Sequence, residues 1–130
     1  LSGVEQYALL VSALCHDIGH QGRTNPFLVE VRHDLALRYN DTSPLENMHC
    51  ATLFEICSRN STNVFQRLRK EEYKVARKVC IASILHTDMA HHFDMVKSIQ
   101  MRYELTSKIC DDQAAKMHML KEEYETEVLR

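Results

Sequence analysis

Apolar positions recur along this chain at helical rather than alternating spacing, and no stretch holds a period of two long enough to read as a strand. Residues 4 to 16 are apolar nearly all round and predict a buried helix. Residues 18 to 25 predict a turn, with Gly19 and Gly22 supplying backbone angles other residues avoid. Asn25-Pro26 predicts a helix start, Asn25 as cap and Pro26 at the first position. That helix is expected to reach about Tyr39, with Phe27, Leu28, Val31 and Leu35 on one side. After a loop at 40 to 43, Ser43-Pro44-Leu45-Glu46 matches the S-x-x-E capping box and predicts a helix to about Cys57. A polar loop at 58 to 63 and a short helical turn at 64 to 68 precede a long helix from Glu71 to about His86. Thr87 and Asp88 can cap the next helix, from Met89 to about Ser107, and Asp111 and Asp112 can start the last. The expected fold is all-α, a compact multi-helix bundle of roughly six or seven helices.

Composition leaves that picture in place and narrows function. The 130 residues are 45% hydrophobic and 26% charged, the balance of a globular domain. A formal net charge of -2 gives no electrostatic reason for polymeric nucleic acid or an anionic membrane surface as partner. The longest apolar run, Tyr7 to Cys15, is too short for a transmembrane segment, and no signal peptide is visible. The 5 cysteines include no C-x-x-C pair, and four of them sit inside apolar helical stretches. They read as buried thiols of a reducing compartment, so a cytoplasmic location is expected.

The chemistry gathers behind the first helix. His16, Asp17 and His20 follow a strongly apolar run, and a buried carboxylate beside a buried imidazole needs a partner. A divalent cation satisfies both groups: imidazole nitrogen and carboxylate oxygen suit zinc, and carboxylate with waters suits magnesium or manganese. A carboxylate can also bridge two ions, and bridged ions roughly 3.5–4 Å apart hydrolyse phosphate esters. His16 with Asp17 is therefore a candidate half-site. Glu46 and His49 share a helix face at i, i+3. Glu30-x-x-His33 repeats that spacing, which makes a di-iron bundle the structural runner-up. Glu30 and His33, however, fall away from the apolar Phe27-Val31-Leu35 side. His86, Thr87 and Asp88 lie at a helix break, and the charged run 67 to 78 reads as a solvated face.

The stretch His16-Asp17-Ile18-Gly19-His20-Gln21-Gly22-Arg23-Thr24-Asn25-Pro26-Phe27 resembles the H-D-x-x-H-x-G-x-x-N-x-F signature of the class I 3′,5′-cyclic nucleotide phosphodiesterases. Leu35-Ala36-Leu37-x-Tyr39-Asn40-Asp41-x-Ser43-x-Leu45-Glu46-Asn47-x-His49 is similar to that family's next block, and Thr87-Asp88-Met89 to a later T-D-M. The resemblance implies that His16 ligates zinc. It implies that Asp17 is the catalytic carboxylate, joining zinc to a second ion, usually magnesium, with manganese as a substitute. His20, Glu46 and Thr87 would hold waters on that second ion, His49 would stand behind the ligands, and Met89 would line the pocket near phosphate and ribose. The implied activity is hydrolysis of cyclic AMP or cyclic GMP to the 5′-monophosphate by a hydroxide bridging the ions.

The family's upstream H-N-x-x-H block, its downstream aspartate ligand and its purine-gripping glutamine have no counterpart within residues 1–130. Met48 stands where a second histidine is usual, and His86 where alanine is common. The chain thus resembles the central segment of such a catalytic domain. Its expected partners are a cyclic nucleotide and the remainder of that domain, and the segment alone is expected to be inactive. The alternative is a catalytically inactive, phosphodiesterase-like helical scaffold or partner-binding module.

Overall fold

The computed structural model describes the backbone of residues 1–128 and the side chains of residues 1–109, 112 and 113. Six α-helices and one 3-10 turn follow in order: α1 (Gly3–Cys15), α2 (Asn25–Glu30), α3 (Asp34–Arg38), α4 (Pro44–Cys57), α5 (Lys70–Leu85), the 3-10 turn Met89–His91, and α6 (His92–Val128). No strand occurs among the described residues, so the all-α expectation holds. Leu1–His92 form one compact unit, and the chain from Phe93 on forms another.

In the first unit α1 packs along α5, and α5 along α4. The core between them joins Ala8 and Val11 of α1, Cys50, Leu53 and Cys57 of α4, and Ala76, Cys80 and Ile84 of α5. Ala8 and Ala76 are small enough to let α1 and α5 approach closely, and the Cys80 thiol reaches the Ala8 carbonyl at 3.4 Å. Ser12 is buried in this seam because its hydroxyl donates to the Ala8 carbonyl at 2.7 Å. Phe65, from the turns after α4, closes one end. Its ring sits 6.0 Å from Tyr7, 6.0 Å from Tyr73 and 6.2 Å from Phe54. Burying that ring stabilises the unit by about 1.5–3 kcal/mol. A smaller core of Leu28, Ala36 and Leu45 joins α2, α3 and α4.

Helix starts and stops account for most departures from expectation. Helix α1 begins with a capping box, Ser2 with Glu5, in which the Ser2 backbone N–H donates to Glu5 at 2.7 Å and the Glu5 N–H to the Ser2 hydroxyl at 3.3 Å. Its apolar circumference is not buried all round: Leu10 is 67% and Leu14 86% exposed, because α5 covers one stripe only. Thr24, not Asn25, caps α2 by accepting from the Phe27 N–H. The helix expected to reach Tyr39 breaks after Glu30. Arg32 takes a left-handed φ of 51°, and His33 restarts the chain as the cap of α3, accepting from the Leu35 N–H at 3.2 Å. Phe27 and Val31 are accordingly exposed, and only Leu28 of that side is buried.

The capping box expected at Ser43 and Glu46 does not form. Ser43 precedes α4 at φ 43° and ψ 55° and makes no capping bond. Left-handed backbone at a residue other than glycine costs about 1–2 kcal/mol, and the Ser43 hydroxyl is engaged elsewhere. In the second unit α6 runs unbroken through Asp111 and Asp112 to Val128. No Gly or Pro interrupts that stretch, and Asp alone is too weak a breaker to stop a helix. Cys50, Cys57 and Cys80 are buried and Cys15 is half-buried, as read from their apolar settings. The Cys110 side chain lies outside the described residues. No helix among the described residues is long and apolar enough to cross a membrane.

Candidate functional site

At the end of α1 the chain turns through Cys15–His20, held by Ile18 N–H to Cys15 O and His20 N–H to Asp17 O, both 3.1 Å. Gly19 makes that turn at φ 76°, where a side chain would be strained. The turn brings His16, Asp17 and His20 against His49 of α4. His49 is 1% exposed, and its Nδ1 donates to the Ile18 carbonyl at 2.7 Å. The Nδ1 of His16 likewise donates to the Ala13 carbonyl at 2.9 Å. A carbonyl only accepts, so both Nδ1 atoms carry the proton, and both Nε2 atoms present lone pairs when the rings are neutral.

Those two Nε2 atoms face one carboxylate. His16 Nε2 lies 3.3 Å from Asp17 Oδ2, and His49 Nε2 lies 3.9 Å from Asp17 Oδ1. Lone pairs aimed at carboxylate oxygens repel unless a cation or a proton stands between them. An imidazole with its far nitrogen tied to a backbone carbonyl, beside a carboxylate, is the donor chemistry of a divalent metal ligand pair. His16 and Asp17 therefore fit such an ion. No group of three or more His, Cys, Asp or Glu side chains converges to hold one among the described residues. His20 stacks on His49 at 5.8 Å between ring centroids, and its Nδ1 accepts from the Gly22 N–H at 2.9 Å. Its Nε2 therefore carries the proton and is a donor.

The Asp17 carboxylate is 64% exposed. The trio does not sit in the buried setting expected at the end of an all-round apolar helix; it rims an open surface whose floor is His49. Beside it, Leu9, Ser12, Ala13, His16, Ser83 and Thr87 line a concavity of about 350 Å³ between α1 and α5. Thr87 donates its hydroxyl proton to the Ile84 carbonyl at 2.7 Å, which leaves its oxygen an acceptor. Met89 is exposed on the following 3-10 turn.

Glu46 belongs to a second polar group that the sequence reading did not foresee. Asn25 donates to Glu46 Oε2 at 2.8 Å and to Asp88 Oδ2 at 3.3 Å, and accepts from the Leu45 N–H at 3.0 Å. Ser43 donates to Asp88 Oδ2 at 2.7 Å, and Asp88 Oδ1 accepts from the Ala90 N–H at 2.9 Å. With its only proton given to Asp88, the Ser43 oxygen accepts from His91 Nε2 at 3.4 Å. By local pattern Asn25 and Ser43 are helix caps, and that pattern alone cannot reveal partners 63 and 45 positions away. Glu30 is exposed and His33 caps α3, so the di-iron pairing has no structural basis among the described residues.

The family model described as 3′5′-cyclic nucleotide phosphodiesterase matches residues 1–127. A mouse relative, the high affinity cGMP-specific 3′,5′-cyclic phosphodiesterase 9A, is 40% identical over 103 residues, which are 79% of this chain and 19% of the relative. The dual 3′,5′-cyclic-AMP and -GMP phosphodiesterase beta of Plasmodium falciparum is 38% identical over 96 residues, 74% of this chain and 8% of its own length. Among solved structures, the phosphodiesterase domain of the RhoPDE fusion protein from the choanoflagellate Salpingoeca rosetta superposes with a TM-score of 0.76 at 42% identity. That superposition covers 78% of this chain and 32% of that one. The chain thus spans less than a fifth of the length of these curated relatives.

Proposed function

Because the chain belongs to the 3′,5′-cyclic nucleotide phosphodiesterase family, we propose that it forms the metal-holding centre of a site that hydrolyses cyclic AMP or cyclic GMP, as the central segment of a longer catalytic domain. One observation carries this reading: two imidazoles, each tied through Nδ1 to a backbone carbonyl, turn their Nε2 atoms on the single carboxylate of Asp17. His16 and Asp17 would hold zinc. Asp17 would also reach a second cation, magnesium or manganese, with His20, Glu46 and Thr87 holding its waters. Bound cations there supply a water acidified toward neutral pH and neutralise phosphate charge.

The chain's own residues bind and orient. The carbonyl of Ala13 fixes the His16 ring, and the buried ring of His49 backs Asp17 through the Ile18 turn. His20 presents an N–H at Nε2, suited to a phosphate oxygen or to a water. The His16 and Thr87 edge of the concavity would face the ring phosphate, and exposed Met89 would line its ribose side. Water adds to phosphorus as the P–O3′ bond breaks, a proton goes to the 3′ oxygen, and the product is the 5′-monophosphate.

Metal content separates this reading from its rival. In a polypeptide extending this chain to a whole catalytic domain, near-stoichiometric zinc is expected, and Asp17→Ala should lose it with its circular dichroism unchanged. The rival is a non-catalytic helical scaffold. It is favoured by the lack of any converging group of three ligands among the described residues, and metal-free protein in both forms would establish it.

A further inference from the structure

The Asn25–Asp88 group joins three segments distant in sequence: the turn before α2, the start of α4, and the 3-10 turn after α5. Every polar atom of the Asn25 side chain is used. Its amide nitrogen serves two carboxylates, Glu46 and Asp88, and its oxygen takes the Leu45 N–H. Asp88 in turn receives Asn25, Ser43 and Ala90. All three of Asn25, Ser43 and Asp88 are half-buried or buried. Two local options are given up for this arrangement: Asn25 leaves the α2 cap to Thr24, and Ser43 leaves the α4 cap unmade while holding a left-handed φ of 43°. A conformation that disfavoured persists only where its surroundings over-determine it.

We infer that Asn25 and Asp88 are positioning residues, a clasp that holds the Glu46 carboxylate and the Thr87–Met89 turn at one fixed spacing. The inference rests on the reading of Glu46 and Thr87 as members of the phosphodiesterase site; the clasp itself can be measured without metal. Asn25 is the hub, touching both carboxylates at once. Asp88 is the anchor, adjacent in sequence to Thr87 on one side and Met89 on the other. Ser43 stiffens the anchor from the α4 side.

The test is amide hydrogen exchange by NMR on the 130-residue chain, native, Asp88→Ala and Ser43→Gly. The Gly variant removes the hydroxyl while suiting the left-handed backbone, so it keeps the experiment informative if Asp88→Ala does not fold. The Leu45 N–H bonds Asn25 and makes no hydrogen bond to either mutated residue. In a clasp, both variants should speed its exchange about tenfold or more, together with that of Ala90. Faster exchange at Ala90 alone would make Asp88 a simple cap of the 3-10 turn and overturn the inference.

Manganese added to the polypeptide extended to a whole catalytic domain, native and Asp88→Ala, reports on function separately. In the native chain, paramagnetic broadening should reach Asp17, Glu46 and Thr87 together; in Asp88→Ala it should persist at Asp17 and weaken at Glu46 and Thr87. Equal broadening in both forms would remove the positioning role. Broadening at none of the three in the native chain, with Leu45 and Ala90 still coupled, would reject the proposed site and leave the clasp as a purely structural link.

Discussion

Replacing His49 by alanine tests whether the site is built from the core outward. His49 is among the largest fully buried side chains, at 1% exposure, and its Nδ1–H is held by the Ile18 carbonyl at 2.7 Å. The truncation leaves that carbonyl without its imidazole donor, at about 1–3 kcal/mol if it stays buried. It also opens a cavity between α4 and the Ile18 turn that packing relaxes only in part. Together these predict a loss of about 2–4 kcal/mol, a large share of the roughly 5–15 kcal/mol that holds a typical domain. A suitable assay is urea unfolding followed by pulsed thiol labelling, because Cys50, Cys57 and Cys80 are buried in the same unit and become reactive only when its core opens. The midpoint should fall with the slope unchanged. A loss below about 0.5 kcal/mol, the level of an ordinary surface substitution, would refute the claim that His49 supports the turn carrying Asp17.

Asp17→Ala should leave the same midpoint within about 0.5 kcal/mol, since the side chain is mostly exposed, while abolishing manganese broadening. Gly19→Ala should cost about 1–2 kcal/mol in the urea assay, because φ is 76° and the new methyl meets Met48 only at an ordinary 3.6 Å, so the penalty is conformational. Burial, reinforced by the nearby Cys80, pushes the Cys50 thiol up from 9.0 to about 11. Because the folded value is the higher one, its stabilising effect is complete below about pH 9 and is lost as pH rises through about 11. Stability should fall across that window, and Cys50→Ala should flatten the slope. Residues 1–130 by themselves should turn over no measurable cyclic AMP or cyclic GMP in an assay of 5′-monophosphate formation, as no group of three ligands converges among the described residues.

Features set by residues near in sequence were legible before the fold. Helices α4 and α5 end within a residue of their expected bounds, and the 18 to 25 turn with its two left-handed glycines is where the pattern puts it. The grouping of His16, Asp17, His20 and His49 is what the resemblance implies, whereas the i, i+3 spacing of Glu46 and His49 pairs two residues that the structure divides between separate polar groups. What escaped was competition. Thr24 and Asn25 are both good caps, and local sequence could not say that Asn25 would be drawn off by Glu46 and Asp88. Ser43 and Glu46 satisfy the capping-box pattern, yet each finds a tertiary partner instead. Ser2 and Glu5 fit the same pattern with no tertiary competitor, and there the box forms.

The exposure of Asp17 changes the physical account of how such a site is organised. The apolar run before the trio predicts a buried carboxylate and imidazole held together by a shared cation. The structure assigns that task to different atoms. Two carbonyls, at Ala13 and Ile18, fix the ring orientations, one deeply buried histidine supplies the rigid floor, and the left-handed Gly19 closes the turn that carries the carboxylate. An open carboxylate held this way stays accessible to ions and substrate, while the groups that must not move lie beneath it. Its geometry should therefore tolerate change at the exposed rim, including Leu9 of α1, far better than at His49 or Gly19. A scan of rim and floor substitutions, read by manganese broadening at Asp17, should divide along that line. Rim variants as damaging as floor variants would return the organising role to burial.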